Sequence, residues 1–226
     1  MKSRVKQVGY AAAFLLVTPP SLPAAIWTNP GVGDWNLGSN WDLGTPPTAL
    51  DLAVVNNGGV AQLNLGSAAP ATVVTRLEIG RDGSAGEFVG AGASFSIASD
   101  FDIGEIADLL VDAPPSNGRA TLSNAASLTV GTSGLGDLDV GPASALAGTS
   151  ASAHGQLDLV AVGQISIQED LEIGQAAGPG DAQGDGVVAI SQANQIHVGR
   201  QVEIGTASMA GAGNAQGAGS LSIVGA

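Results

Sequence analysis

A four-residue phrase of apolar, acidic, apolar and glycine returns along this chain, and few folds can accommodate it. It reads LEIG at 77–80, FDIG at 101–104, LDVG at 138–141, LEIG at 171–174 and VEIG at 202–205. The glycines are separated by 24, 37, 33 and 31 residues, the period of stacked repeat architectures. A second series, Gly86, Gly118, Gly155, Gly186 and Gly219, runs alongside at intervals of 32, 37, 31 and 33. A unit this short cannot bury an apolar face alone, so the units must stack.

Each repeat resolves into three short segments with period-2 alternation, the mark of strands with one buried face. In one repeat they are Leu157/Leu159, Ile165/Ile167 and Leu171/Ile173, and in the next Val188/Ile190, Ile196/Val198 and Val202/Ile204. Every corresponding position moves by 31 residues, which predicts that Leu157/Val188, Ile165/Ile196 and Leu171/Val202 are stacked neighbours. No segment sustains a 3.6-residue period, and glycine interrupts the chain throughout, so helices are disfavoured. The expectation is an all-β fold: a right-handed parallel β-helix with three short strands per coil and about five and a half coils over residues 60–226. The phrase-ending glycines fit corners that need positive φ. The Ala, Gly, Ser and Pro-rich connections, such as 142–154 and 206–218, are expected as loops along one edge. Residues 219–224 repeat the first strand phrase of a sixth coil that the sequence does not complete, so a longer chain or a partner is expected to cover that end.

Residues 1–25 have the form of a secretory signal. Lys2, Arg4 and Lys6 precede an apolar run of ten residues at 8–17, followed by small residues near Ala24 and Ala25. That run is too short to span a bilayer, so no integral membrane segment is expected in the exported chain. Without Lys2, Arg4 and Lys6, the seven basic residues fall to four arginines (Arg76, Arg81, Arg119, Arg200) against 20 acidic residues, a net charge of −16. Such a surface argues against nucleic acid and anionic membranes as partners. The chain has no cysteine, so neither a disulfide nor a thiolate metal site can hold it together.

Residues 26–59 carry all three tryptophans in the phrase WTNPGVGDWNLGSNWDLG and form an expected Trp-rich N-terminal cap. Trp27, Gly33, Trp35, Asn40, Trp41, Gly44, Pro47, Asp51 and Ala53 match an opening phrase of exported bacterial β-helix proteins. With the following IGRDGSAGEF at 79–88, the chain resembles the autotransporter-associated β-strand repeat and PEP-CTERM-associated proteins. The resemblance covers nearly all of residues 26–226. It implies a parallel β-helix used as an extracellular or cell-surface scaffold, and it is specific for architecture rather than activity. Neither a C-terminal sorting helix nor an autotransporter barrel accompanies it here.

Two sets of residues are candidate sites. Glu78, Asp102, Asp139, Glu172 and Glu203, the acidic members of the phrase, should point outward and stack about 4.8 Å apart. Such a ladder is either a solvated acidic face or a set of oxygen ligands bridged by Ca²⁺; no other cofactor is expected. Trp27, Trp35 and Trp41 either plug the end of the core or stack on sugar rings. His154 and His197 stand alone, and neither H-E-x-x-H nor G-x-S-x-G occurs. A uronate lyase would need a strong base and cation clamps, for which four arginines and no lysine are poor equipment. The reading is therefore a non-enzymatic, exported structural or adhesive β-solenoid, secreted or held on a bacterial surface. Polysaccharides or other surface proteins are its expected partners. The alternative is a polysaccharide-binding or polysaccharide-cleaving β-helix, for which facing carboxylates are available.

Overall fold

The computed structural model describes residues 23–64, 72–92, 94–109, 112–209 and 211–225. Apart from strand Ala24–Ile26 and the residue before it, the expected signal segment lies outside them. The described residues are all-β apart from one 3₁₀ turn at Gly38–Asn40. Every strand pairing among them is parallel.

Four sheets share these strands. The acidic sheet contains the repeated phrase and orders Ala24–Ile26, Leu52–Val55, Arg76–Ile79, Phe101–Ile103, Leu138–Val140, Leu171–Ile173 and Val202–Ile204. The long-strand sheet orders Val32–Asp34, Val60–Asn64, Ala85–Ala91, Ser116–Ser123, Ser150–Val160, Asp181–Ser191 and Ala215–Val224. A third sheet holds Thr72–Val74, Phe95–Ile97, Ser127–Val130, Gln164–Ile167 and Gln195–Val198. The fourth, an alanine sheet, holds Ile106–Leu109, Ala143–Ala145, Ala176–Gly178 and Ala207–Met209. From Ala85 onward the chain visits the long-strand, third, acidic and alanine sheets in that order, repeatedly.

The predicted stacking is present: Leu157 pairs with Val188, Ile165 with Ile196 and Leu171 with Val202. Gly219, Leu221 and Ile223 pair with Gly186, Val188 and Ile190, as the repeat alignment requires. Columns such as Phe101–Leu138–Leu171 and Leu128–Ile165 form one continuous apolar core. Residues of the expected cap enter the same sheets, because Val32–Asp34 and Leu52–Val55 are parallel strands of the stack, and Ala24–Ile26, which begins inside the expected signal segment, pairs with Leu52–Val55.

From Ile106 onward the connections are not simply loops: each carries a strand of the alanine sheet, so these turns use four strands, whereas the turns before them use at most three. The alternation of these connections was written in alanine and serine, Ala143-Ser144-Ala145 and Ala151-Ser152-Ala153, too weak in hydropathy to register as strand. Those alanines, with Ala176, Ala182 and Ile106, form a second thin core beside the first. The long strands serve both lobes: Ala151 and Ala153 face the alanine core, while Leu157 and Leu159 face the main one.

The two glycine series meet between the lobes. The corner glycines Gly80, Gly104, Gly141, Gly174 and Gly205 have φ between 64° and 72°. They lie against the second series. A Cβ on Gly155 would strike the amide nitrogen of Gly141 and the carbonyl oxygen of Ile103. The obstacles are backbone atoms of neighbouring strands, which cannot rotate aside. Gly155→Ala should therefore destabilise the fold by about 1–3 kcal/mol, measured as a lowered urea midpoint with unchanged strand content by circular dichroism.

Candidate functional site: a carboxylate column and its arginines

Parallel register brings the acidic residues together. Glu78 pairs with Asp102, Asp102 with Asp139, Asp139 with Glu172, and Glu172 with Glu203, with Val54 in the same column below Glu78. The expected ladder exists, but it is not an outward solvated face throughout. Glu78 is 4% and Asp102 1% exposed, whereas Asp139, Glu172 and Glu203 are half-buried.

Two arginines explain the burial at one end. Arg76 Nε donates to Asp102 Oδ2 at 2.7 Å and lies 3.2 Å from Glu78 Oε1. Its Nη2 is 3.7 Å from Glu105 Oε2. Arg81 bonds Glu78 and reaches Asp82 at 3.2 Å and Glu105 at 3.5 Å. At the other end amides take over, since Gln175 and Gln201 donate to the two Glu203 oxygens at 3.0 and 2.8 Å. In the middle, Oδ1 of Asp139 and Oδ1 of Asp102 are shielded from solvent and have no hydrogen-bond partner.

Burial raises the carboxyl pKa of Asp102 to about 7, with Glu105 adding to the rise and Arg76 opposing it. Asp139 rises well above the usual aspartate range, first through burial and then through Asp102 and Glu172. Burial also raises Glu105, against Arg81 and Arg76, and raises Glu172, against Gln175.

A flanking column stabilises the backbone. Asp137 Oδ1 accepts from the Asp170 amide at 2.9 Å, and Asp170 Oδ1 from the Gln201 amide at 3.1 Å. Asp100 Oδ1 meets the Asp137 amide at 3.4 Å. Each of these carboxylates therefore ties one turn to the next. Sequence reasoning missed this role, although an aspartate directly precedes the phrase at 100, 137 and 170.

The remaining arginines are also engaged: Arg119 with Asp158 at 3.2 Å, and Arg200 with Glu169 and Asp170 at 3.4 Å each. Among the described residues, no group of three or more His, Cys, Asp or Glu side chains is placed to hold a metal ion. The five acidic residues thus share a column without converging on one point.

Trp27, Trp35 and Trp41 are 1%, 1% and 3% exposed, so their faces are not offered to a sugar. They form an edge-to-face cluster, Trp27–Trp41 at 5.1 Å and Trp35–Trp41 at 4.8 Å, and Trp35 continues it to Phe88 at 5.2 Å. Trp41 Nε1 donates to the Trp35 carbonyl at 2.8 Å. His154 lies 3.4 Å from Asp185, across adjacent turns, and His197 sits outward in Gln195–Val198.

A scan against known protein families finds no matching model, and searches of curated proteins and of solved structures find no match. No helix among the described residues is long and apolar enough to cross a membrane.

Removing Arg76 leaves Asp102 buried beside Glu78 and Glu105 without its main counter-charge. Arg76→Met should cost about 1–3 kcal/mol at pH 7, less than a fully buried pair because the guanidinium is partly exposed. The loss should shrink toward pH 4, where Asp102 folds in its neutral form. In the Asp102→Asn background it should be smaller, the remainder reporting the contacts of Arg76 to Glu78 and Glu105, as a double-mutant cycle by urea denaturation would read.

Proposed function

We propose that the chain is an exported, non-enzymatic β-solenoid: a right-handed parallel β-helix of about five and a half coils. Its role is that of a structural or adhesive element on or outside a bacterial cell. The observation that supports this most directly is the use of its cations. All four arginines that follow the expected signal segment are bound to carboxylates, in most cases on a neighbouring turn. Arg76 and Arg81 are largely buried in these contacts and so are taken up by the stack rather than offered to an acidic substrate, while Arg119 and Arg200 stay half-exposed beside their carboxylates. Two of the carboxylates, Asp137 and Asp170, are likewise committed along the stack, where they bind backbone amides of the next turn. A hydrolase would instead require two carboxylates facing each other across a substrate-sized gap. The sequence resemblance to exported repeat scaffolds points the same way.

A second reading, glycan binding without turnover, rests on one groove. It has a volume of about 300 Å³ and crosses three turns on the outer face of the long-strand sheet. Asn117, Arg119, His154, Gln156 and Asp185 line it with donors and acceptors suited to sugar hydroxyls.

Residues 26–226, purified and screened against pectins, alginates and host glycans, should release no reducing ends or unsaturated products. Robust turnover of any polymer would overturn the scaffold reading. Binding without turnover that Gln156→Ala weakens would assign the groove.

A further inference from the structure

Parallel register places Asp102 directly opposite Asp139 in adjacent strands, which lie about 4.8 Å apart. Both carboxyl groups have an inner oxygen, Oδ1, that is closed to solvent and lacks a hydrogen-bond partner. Two carboxylates in this arrangement repel each other and leave two acceptors unsatisfied. One proton placed between the two oxygens removes both defects.

The surroundings make the demand sharper. Glu78 lies one turn below Asp102, and Glu172 one turn above Asp139. Glu105 approaches from the turn after Phe101–Ile103, and Asp100 and Asp137 flank the pair two residues before it. The cations facing this group are Arg76 and Arg81, both gathered around Glu78, Asp102 and Glu105. Arg76 bonds Asp102 through Oδ2, which favours the ionised form of that residue over that of Asp139 and leaves Oδ1 to accept.

We infer that Asp102 and Asp139 share one proton across adjacent turns, with the Asp139 hydroxyl donating to Asp102 Oδ1, so that the stack is firmest in mildly acidic surroundings. The upward shifts of both groups, caused first by burial, agree with this. They describe the titration of the pair as a unit. A carboxyl held above its unfolded-state value contributes its full stability below about pH 4 and loses it as pH rises through the folded-state value. Each proton released on this rise lowers the folding constant by up to about tenfold per pH unit.

The test is Asp139→Asn, which keeps the shape and a donor but cannot ionise. Urea denaturation of both proteins from pH 4 to pH 9 should show wild type losing stability as pH rises. The variant should lose less, and above pH 7 it should be the more stable of the two. In D₂O near neutral pH, infrared difference spectra should show a protonated carboxyl C=O stretch in wild type that is absent from Asp139→Asn. Parallel stability curves, or no such band, would overturn the shared proton. A cation would be indicated instead if millimolar Ca²⁺ at matched ionic strength and pH 8 stabilised wild type but not the variant. An equal response of both proteins supports the proton.

Discussion

Everything in this fold depends on in-register parallel pairing between successive turns. Such pairing sets each residue against its equivalent one turn away, about 4.8 Å along the stack. For an aliphatic side chain this is favourable, because a column of Val, Ile, Leu and Phe excludes water along its whole length. For a carboxylate it is unfavourable, because like charges directly opposite one another at this spacing repel. The same rule thus produces the core of the protein and its main electrostatic difficulty.

The glycine seam follows from the same pairing. Where the acidic sheet turns its corner at Gly141, the long strand passes at Gly155, and their backbones touch. The seam divides the cross-section into a wide lobe of large aliphatics and a thin lobe of alanines. Alanine methyls fill the thin lobe, with Ile106 as the one larger buried side chain in it among the described residues. From Ile106 onward the alanine lobe also supplies a fourth strand to each turn.

The strands carrying branched aliphatics could be read in advance, because a 31-residue shift maps Leu157, Ile165 and Leu171 onto residues of the same type. The alanine strands could not, since Ala143 and Ala145 have neither the bulk nor the β-branching that marks a strand. Positive φ was foreseeable at Gly141 but not at Asn124, Ala161 and Gln192, which hold left-handed conformations at the corner after each long strand. Asparagine visits this region more readily than most residues, but nothing in Ala161 or Gln192 marks them, and tertiary pairing imposes the turn. The acidic column was legible as a column. Its burial was not, because that depends on Arg76 reaching up one turn to Asp102, and the length of a side chain's reach is not written in the repeat.

The column is compensated differently along its length. Arginines neutralise the turn of Glu78 and reach Asp102, and glutamine amides satisfy Glu203. Between them, Asp139 stands on a turn whose following corner residue is Pro142, where the next turn offers Gln175. A proline has no side-chain donor to give, so this rung cannot be satisfied in the way its neighbours are. The repeat lengthens within this turn as well, with ten residues between Leu128 and Leu138 where the next has six between Ile165 and Leu171. Stack and charge are therefore both least regular at the same level, and an uncompensated carboxyl there must be accommodated by its own protonation state or by a partner from outside the chain. That places the chemistry most responsive to the surroundings in the middle of the solenoid rather than at its ends.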